Sequence, residues 1–163
     1  MNLKSFACAA LIFVAGAASA TTTDWGAHGP LEFGFGSASG AGSLISDEYD
    51  FSLSTSSGLL AVAVTNDGGA FNLTDGVVSL FQVGNATPIA SFSFDSSAVS
   101  YDFGTLLAGN YFYKVTAEVA TAAGAGTYQL NSQLASPVPE PESYALLLAG
   151  LGALGYVVRR RRA

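Results

Sequence analysis

Short runs in which apolar and polar residues alternate fill the chain from about residue 44 to residue 134. The clearest is "NYFYKVTAEVA", Asn110 to Ala120. Tyr111, Tyr113, Val115, Ala117 and Val119 share one face, and Phe112, Lys114, Thr116 and Glu118 share the other. A period of two marks a half-buried strand, because successive side chains point to opposite faces. The face with both charges should meet water. The same habit groups Tyr49 with Phe51 and Leu53, and Leu60 with Val62 and Val64. It also pairs Phe92 with Phe94 and Tyr101 with Phe103, and lines up Tyr128, Leu130 and Ser132. "VVSLFQV" is apolar on both faces and reads as a central strand. Turn signals separate these runs: "NDGG" at 66–69, "DG" at 75–76, "GN" at 84–85, "AGN" at 108–110 and "GAG" at 124–126. Such residues tolerate the positive φ of tight hairpins. About seven to nine short strands at this spacing predict an all-β domain, an antiparallel β-sandwich or jelly roll, with almost no helix. The stretch "GFGSASGAGS", 34–43, reads as a glycine-rich loop. No helical pattern follows its G-x-G, so it lacks the context of a phosphate cradle.

The two ends break the pattern. At the front, Lys4 precedes the apolar run "FACAALIFVAGAA", and Ala18-Ser19-Ala20 is a small-residue cleavage site. Residues 1–20 therefore read as a secretory signal peptide, cut after Ala20, with Ala18 and Ala20 as the recognition residues. At the back, Pro137, Pro139 and Pro141 lead into fifteen apolar or small residues, Tyr144 to Val158, and then Arg159, Arg160, Arg161 and Arg162. Fifteen helical residues rise about 22 Å, against about 30 Å for a bilayer core. A transmembrane helix at 144–158 is feasible but short, with the arginines retained on the cytoplasmic side. The expected organisation is a signal peptide at 1–20 and an extracytoplasmic β-sandwich at 21–136. A Pro/Glu linker at 137–143, the helix at 144–158 and a basic tail at 159–163 follow.

Charge and composition narrow the function. The net charge of −6 becomes −11 without Lys4 and the four arginines, and −9 without Glu140 and Glu142 as well. Lys114 is then the sole lysine or arginine of the middle region, so a nucleic acid partner is excluded on electrostatic grounds. The single cysteine, Cys8, lies in the leader, so the rest must fold without disulfides or thiolate ligands. His28 is the sole histidine, which rules out a multi-histidine metal site within one chain, and it reads as a surface-loop residue. Asp47, Glu48 and Asp50 form the densest acidic cluster. Two of them, Asp47 and Asp50, are candidates for Ca²⁺, which takes oxygen ligands, while a pair of carboxylates also suits glycoside hydrolysis. The alternative is a solvated strand edge, with Asp50 pointing to water. Trp25 and Phe112 are the candidates for an exposed sugar-stacking aromatic. No cofactor is expected.

"GSLISDEYDFSL", "GVVSLFQV" and "LLAGNYFYKVTAEVATAAGAGTYQL" resemble the FxDxF-type PEP-CTERM proteins of Gram-negative bacteria, with Ile45, Asp47 and Tyr49 at the core positions. Ile45 replaces the first aromatic. Leu107 to Leu130 also resembles the sandwich domains at the ends of secreted bacterial peptidases. Pro139-Glu140-Pro141, a short apolar helix and a terminal arginine cluster resemble the PEP-CTERM sorting signal. That resemblance implies recognition at Pro139, Glu140 and Pro141 by exosortase, a membrane enzyme, and transient residence in the inner membrane. It implies delivery to the cell surface or the exopolysaccharide matrix, with no catalysis by this chain. The expectation is a structural, matrix-associated protein. The alternative is a carbohydrate-binding module for the cell's own extracellular polysaccharide.

Overall fold

The structure, a computed structural model, describes residues 18–135 and 146–151. Ten strands run in chain order: β1 (Ala18–Ser19), β2 (Thr22–Ala27), β3 (Leu31–Ser39), β4 (Leu44–Leu53) and β5 (Ser57–Thr65). They continue with β6 (Leu73–Gln82), β7 (Ala90–Phe94), β8 (Val99–Leu106), β9 (Gly109–Val119) and β10 (Ala125–Ala135). One sheet has the order β1-β4-β9-β6-β7, with β2 also pairing β4; the second has the order β3-β10-β5-β8. Most pairings are antiparallel, and β1 and β2 join β4 in parallel. Two sheets enclosing one core agree with the expected β-sandwich. The core is built as the period of two requires: Tyr111, Tyr113, Val115, Ala117 and Val119 of β9 are buried, as are Tyr49, Phe51 and Leu53 of β4. Val78 and Leu80 of β6 are fully buried, while Phe81 lies on the outer face, stacked on Phe112 at 4.9 Å.

Three readings of the middle region are corrected. In β5 the buried face is Leu59, Ala61, Ala63 and Thr65, and Leu60, Val62 and Val64 lie outward. The facing sheet fills the core with Tyr49, Phe51, Tyr111, Tyr113, Phe92 and Phe94, so small residues fit beneath them where large ones would overpack. The stretch 34–39, expected as loop, is the straight carboxyl half of β3, in unbroken register with β10 from Leu31 to Ser39. Its glycines make room for rings: a Cβ at Gly34 would sit 2.6 Å from Tyr49, and one at Gly36 would overlap Tyr128 and Asp47. Asp75-Gly76, expected as a hairpin turn, is a bulge inside β6, where pairing with β9 shifts between Thr74 and Val77 and Asp75 takes φ 54°.

The expected membrane-spanning helix at 144–158 lies largely outside the described residues. Residues 146–151 are helical, with Leu146, Leu147, Leu148 and Leu151 exposed. Among the described residues no helix is long and apolar enough to cross a membrane. The signal segment before Ala18 is also outside them. Ala18 and Ser19 form β1, against Leu44 and Ile45 of β4, so a cut after Ala20 would remove that strand.

Candidate functional site

The chemistry-bearing side chains of the domain lie between the sheets, in two hydrogen-bonded groups. The first joins β4 to β10. Tyr128 donates its hydroxyl proton to Asp47 Oδ2 at 2.8 Å, and the Thr21 amide donates to Asp47 Oδ1 at 2.9 Å. Tyr128 has only one proton, so Tyr49 is the donor in the 2.8 Å bond between their hydroxyls. Burial pushes both phenols up from the usual tyrosine range. For Tyr128 the bonds to Tyr49 and Asp47, and their charges if ionised, push the same way.

The second group joins β9, β10 and the turn after β2. His28 Nδ1 lies 2.6 Å from the Gly29 carbonyl, which can only accept, so Nδ1 carries the proton. Nε2 then accepts from Ser132 at 2.8 Å, and Ser132 in turn accepts from Tyr113 at 2.9 Å. Burial depresses the His28 pKa, while the Gly29 bond and the negative charge of Glu32 act in the opposite direction. Burial raises Tyr113, with the Ser132 bond opposing in part. The imidazole packs edge-on against Phe51 at 5.0 Å and Trp25 at 6.0 Å. Among the described residues no buried side-chain polar atom lacks a partner. These groups are therefore satisfied internally and tie one sheet to the other.

This arrangement revises several candidates. His28 is a buried core residue, because a serine 104 positions away supplies its partner. Asp47 is 3 % exposed and points inward; β4 is not an edge, since β9 flanks it on one side and β1 and β2 on the other. Asp50 is on the opposite face of β4, so the two carboxylates proposed for Ca²⁺ cannot share one ion. Among the described residues no group of three or more His, Cys, Asp or Glu is placed to hold a metal. Trp25 is half-buried against Tyr49 at 5.0 Å, and Phe112 is stacked on Phe81, so neither stands free as a platform. The exposed aromatics among the described residues are Phe71 and, on β3, Phe33 and Phe35, at 50 % and 67 %, with Phe35 in the stretch read as loop. Phe33 and Phe35 flank the amides Gln129, Asn131 and Gln133 of β10 on the outer face.

A groove of about 590 Å³ lies at one side of the sandwich between β1, β3, β5 and β10. Its lining includes Thr21, Phe35, Gly36, Asn66, Tyr128 and Gln129 and contains no carboxylate, histidine or lysine. Hydroxyls and amides can hydrogen-bond a ligand there. Acid–base chemistry has no pair of groups to run on.

Sequence reasoning missed a second feature. Asp24-Trp25-Gly26 on β2 and Asp102-Phe103-Gly104 on β8 are the same device. In each the aspartate Oδ1 accepts the amide of the glycine two residues on, at 2.7 and 2.8 Å. Each glycine takes a left-handed φ, 68° and 71°, and each strand pairing slips there by one residue. The aromatic residue between them packs against the core. The spacing Asp-aromatic-Gly, occurring twice, was the available signal.

Residues 137–162 match the PEP-CTERM protein-sorting motif. They contain the candidate recognition residues Pro139, Glu140 and Pro141 and the retention residues Arg159 to Arg162, all outside the described residues. The motif marks the chain for export and for sorting by exosortase to the cell surface. No curated protein matches the chain in sequence. Among solved structures the chain is similar to the pre-peptidase C-terminal domain of a collagenase from Bacillus anthracis. That match has 17 % identity and a TM-score of 0.50, over 69 % of this chain and 94 % of that one. It is also similar to PliG of Aeromonas hydrophila, a periplasmic inhibitor of g-type lysozyme. Here the identity is 12 % and the TM-score 0.40, over 72 % of this chain and all of that one. The first likeness agrees, at the level of fold, with the expected peptidase-terminal sandwich.

Proposed function

We propose that this chain is a non-catalytic structural protein of the bacterial surface or its exopolysaccharide matrix, of the FxDxF type, released to that place when exosortase cuts near Pro139-Glu140-Pro141. The observation that carries the reading is the sorting motif at 137–162 attached to a domain whose reactive side chains are held within its core. The subfamily reading draws support from Ile45, Asp47 and Tyr49, all buried on one face of β4, with the aspartate held by a tyrosine of β10. An inward aspartate between apolar neighbours is what an F-x-D-x-F pattern would encode. A second reading, binding of the cell's own polysaccharide, is favoured by Phe33 and Phe35 beside Gln129, Asn131 and Gln133. Sugars present apolar faces for stacking and hydroxyls for amides.

Mass spectrometry of the protein recovered from its host's surface tests the processing. A carboxyl terminus near Pro139 is expected. Surface-exposed protein that retains Arg162 and Ala163 would overturn it. Polysaccharide cleavage by the purified protein, abolished by a substitution in its own chain, would overturn the non-catalytic reading.

A further inference from the structure

Besides the two-residue β1, four strands form the sheet borders of this sandwich: β2, β3, β7 and β8. Exposed edges invite further strands, and proteins blunt them with bulges, charges or shortness. Three of these four are blunted. β2 and β8 carry the Asp-aromatic-Gly bulge with its acidic side chain, and β7 has five residues. β3 has none of these devices. It runs nine residues without a register slip, and Glu32 is its only charge. That glutamate is on the inner-face parity and accepts the Gly29 amide. Its partner β10 has no charged residue at all. Among the described residues, no backbone hydrogen bond reaches the outer edge of β3 from any other element.

We infer that β3 is an assembly edge, and that its occupant is β3 of a second copy of this chain, paired antiparallel about a two-fold axis. The strand is complementary to itself. With Phe33 opposite Phe33 of the second copy, Leu31 faces Phe35 and Glu32 faces Gly34. With the axis at Gly34, Phe33 faces Phe35 and Glu32 faces Gly36. Neither register sets glutamate against glutamate; the first joins the whole exposed row Leu31, Phe33 and Phe35 to its counterpart as cross-strand apolar pairs, and the second joins Phe33 to Phe35 with Leu31 facing Ser37. Electrostatics select this edge over the others. The domain holds ten carboxylates and one lysine, so two copies repel wherever charges meet, and β3 with β10 is its near-neutral strip. An anionic partner is repelled too, and a neutral sugar offers no ladder of amides and carbonyls to an open strand. A ladder of five or seven residues per copy, with at most three large apolar side chains from each, is small beside a stable complex of about 1,600 Å². The pairing is therefore weak and depends on concentration, which suits chains crowded on a surface. Both sandwiches remain intact, and their outward faces join into one sheet surface.

The test uses the full-length chain in detergent micelles, with sedimentation and amide hydrogen exchange across a concentration series. Dimer should grow with concentration and with salt, which screens the like charges. Amides of β3 should slow in exchange as it does, while those of β7 and β8 do not. Phe33→Lys with Phe35→Lys should weaken pairing at least about tenfold, because lysine on an edge opposes strand addition. Val83→Lys, exposed beyond β6, should leave it unchanged. The proposal is overturned if β3 exchange is indifferent to protein concentration. It is equally overturned if β3 is protected only when host polysaccharide is added, or if the folded double-lysine variant pairs as well as the parent. Should that variant not fold, the exchange of the unaltered chain decides.

Discussion

Among the described residues, Tyr128 holds the only hydroxyl hydrogen-bonded to the buried Asp47. Replacing it with phenylalanine keeps the ring against Phe94 and removes one oxygen. That oxygen serves two bonds: it donates to Asp47 and accepts from Tyr49. A hydrogen bond to a charged group contributes about 1.5–3 kcal/mol, and a neutral one about 1 kcal/mol. Tyr128→Phe should therefore cost about 2.5–4 kcal/mol. Tyr49→Phe removes only the neutral bond and leaves Asp47 satisfied, so it should cost about 1 kcal/mol. For a domain of this size each kcal/mol lowers Tm by roughly 3–6 °C. The two variants should thus melt some 10–20 °C and about 3–6 °C below the parent. Urea melts followed by far- and near-ultraviolet circular dichroism give both values, with the slope checked for two-state behaviour. If Tyr49→Phe costs as much as Tyr128→Phe, or if Tyr128→Phe costs under about 1 kcal/mol, the directional chain Tyr49 to Tyr128 to Asp47 is wrong.

Three further outcomes follow from the same core. Tyr49, Tyr113 and Tyr128 are raised by burial, so above pH of about 10 the unfolded chain loses protons that the folded chain keeps. Stability should be fully present below that pH and fall above it by up to about 4 kcal/mol per pH unit, seen as a steep loss in denaturant melts toward pH 11. His28 is depressed, so its contribution is present above pH of about 6.5 and is lost as the pH falls through its folded value; His28→Gln should flatten that part of the stability profile. Gly36→Ala places a methyl on the Tyr128 ring and Asp47, both pinned by hydrogen bonds, and should destabilise the domain by about 3 kcal/mol or more in the same melts.

The strands that sequence displayed well are those whose inward residues are large and whose outward residues are polar. β9 is the example, since every outward residue between Tyr111 and Val119 except Phe112 is polar. β5 misleads because the contrast is inverted: alanines face in and valines face out. What decides this is the volume of Tyr113 and Phe51 on the other sheet, which no local pattern in β5 records. β3 reads as a loop for a related reason. Its glycines are empty places for rings that belong to Tyr49 and Tyr128, ten to ninety residues further along. His28 and Asp47 could be picked out as chemistry but not located, because their partners Ser132 and Tyr128 are distant in the chain. The Asp-aromatic-Gly bulges were present as local words and could have been read as edge devices. The sorting signal was legible because it acts as a linear string, recognised by another protein.

The position of β10 has a consequence for timing. This strand sits between β3 and β5, pairs with residues up to 102 positions earlier, and carries both Tyr128 and Ser132. It ends at Ala135, and the sorting motif begins at residue 137. A chain exported amino end first has β3 apart from the β5–β8 pair, and lacks the Tyr128 and Ser132 bonds between the two layers, until β10 has crossed. Pairings this remote are slow to form. If, as proposed, the tail holds the chain at the membrane before the cut, that pause coincides with the moment when the sandwich first becomes able to close. Such retention would double as a waiting room for folding, and a cut made too early would release a sandwich whose second sheet still lacks its central strand.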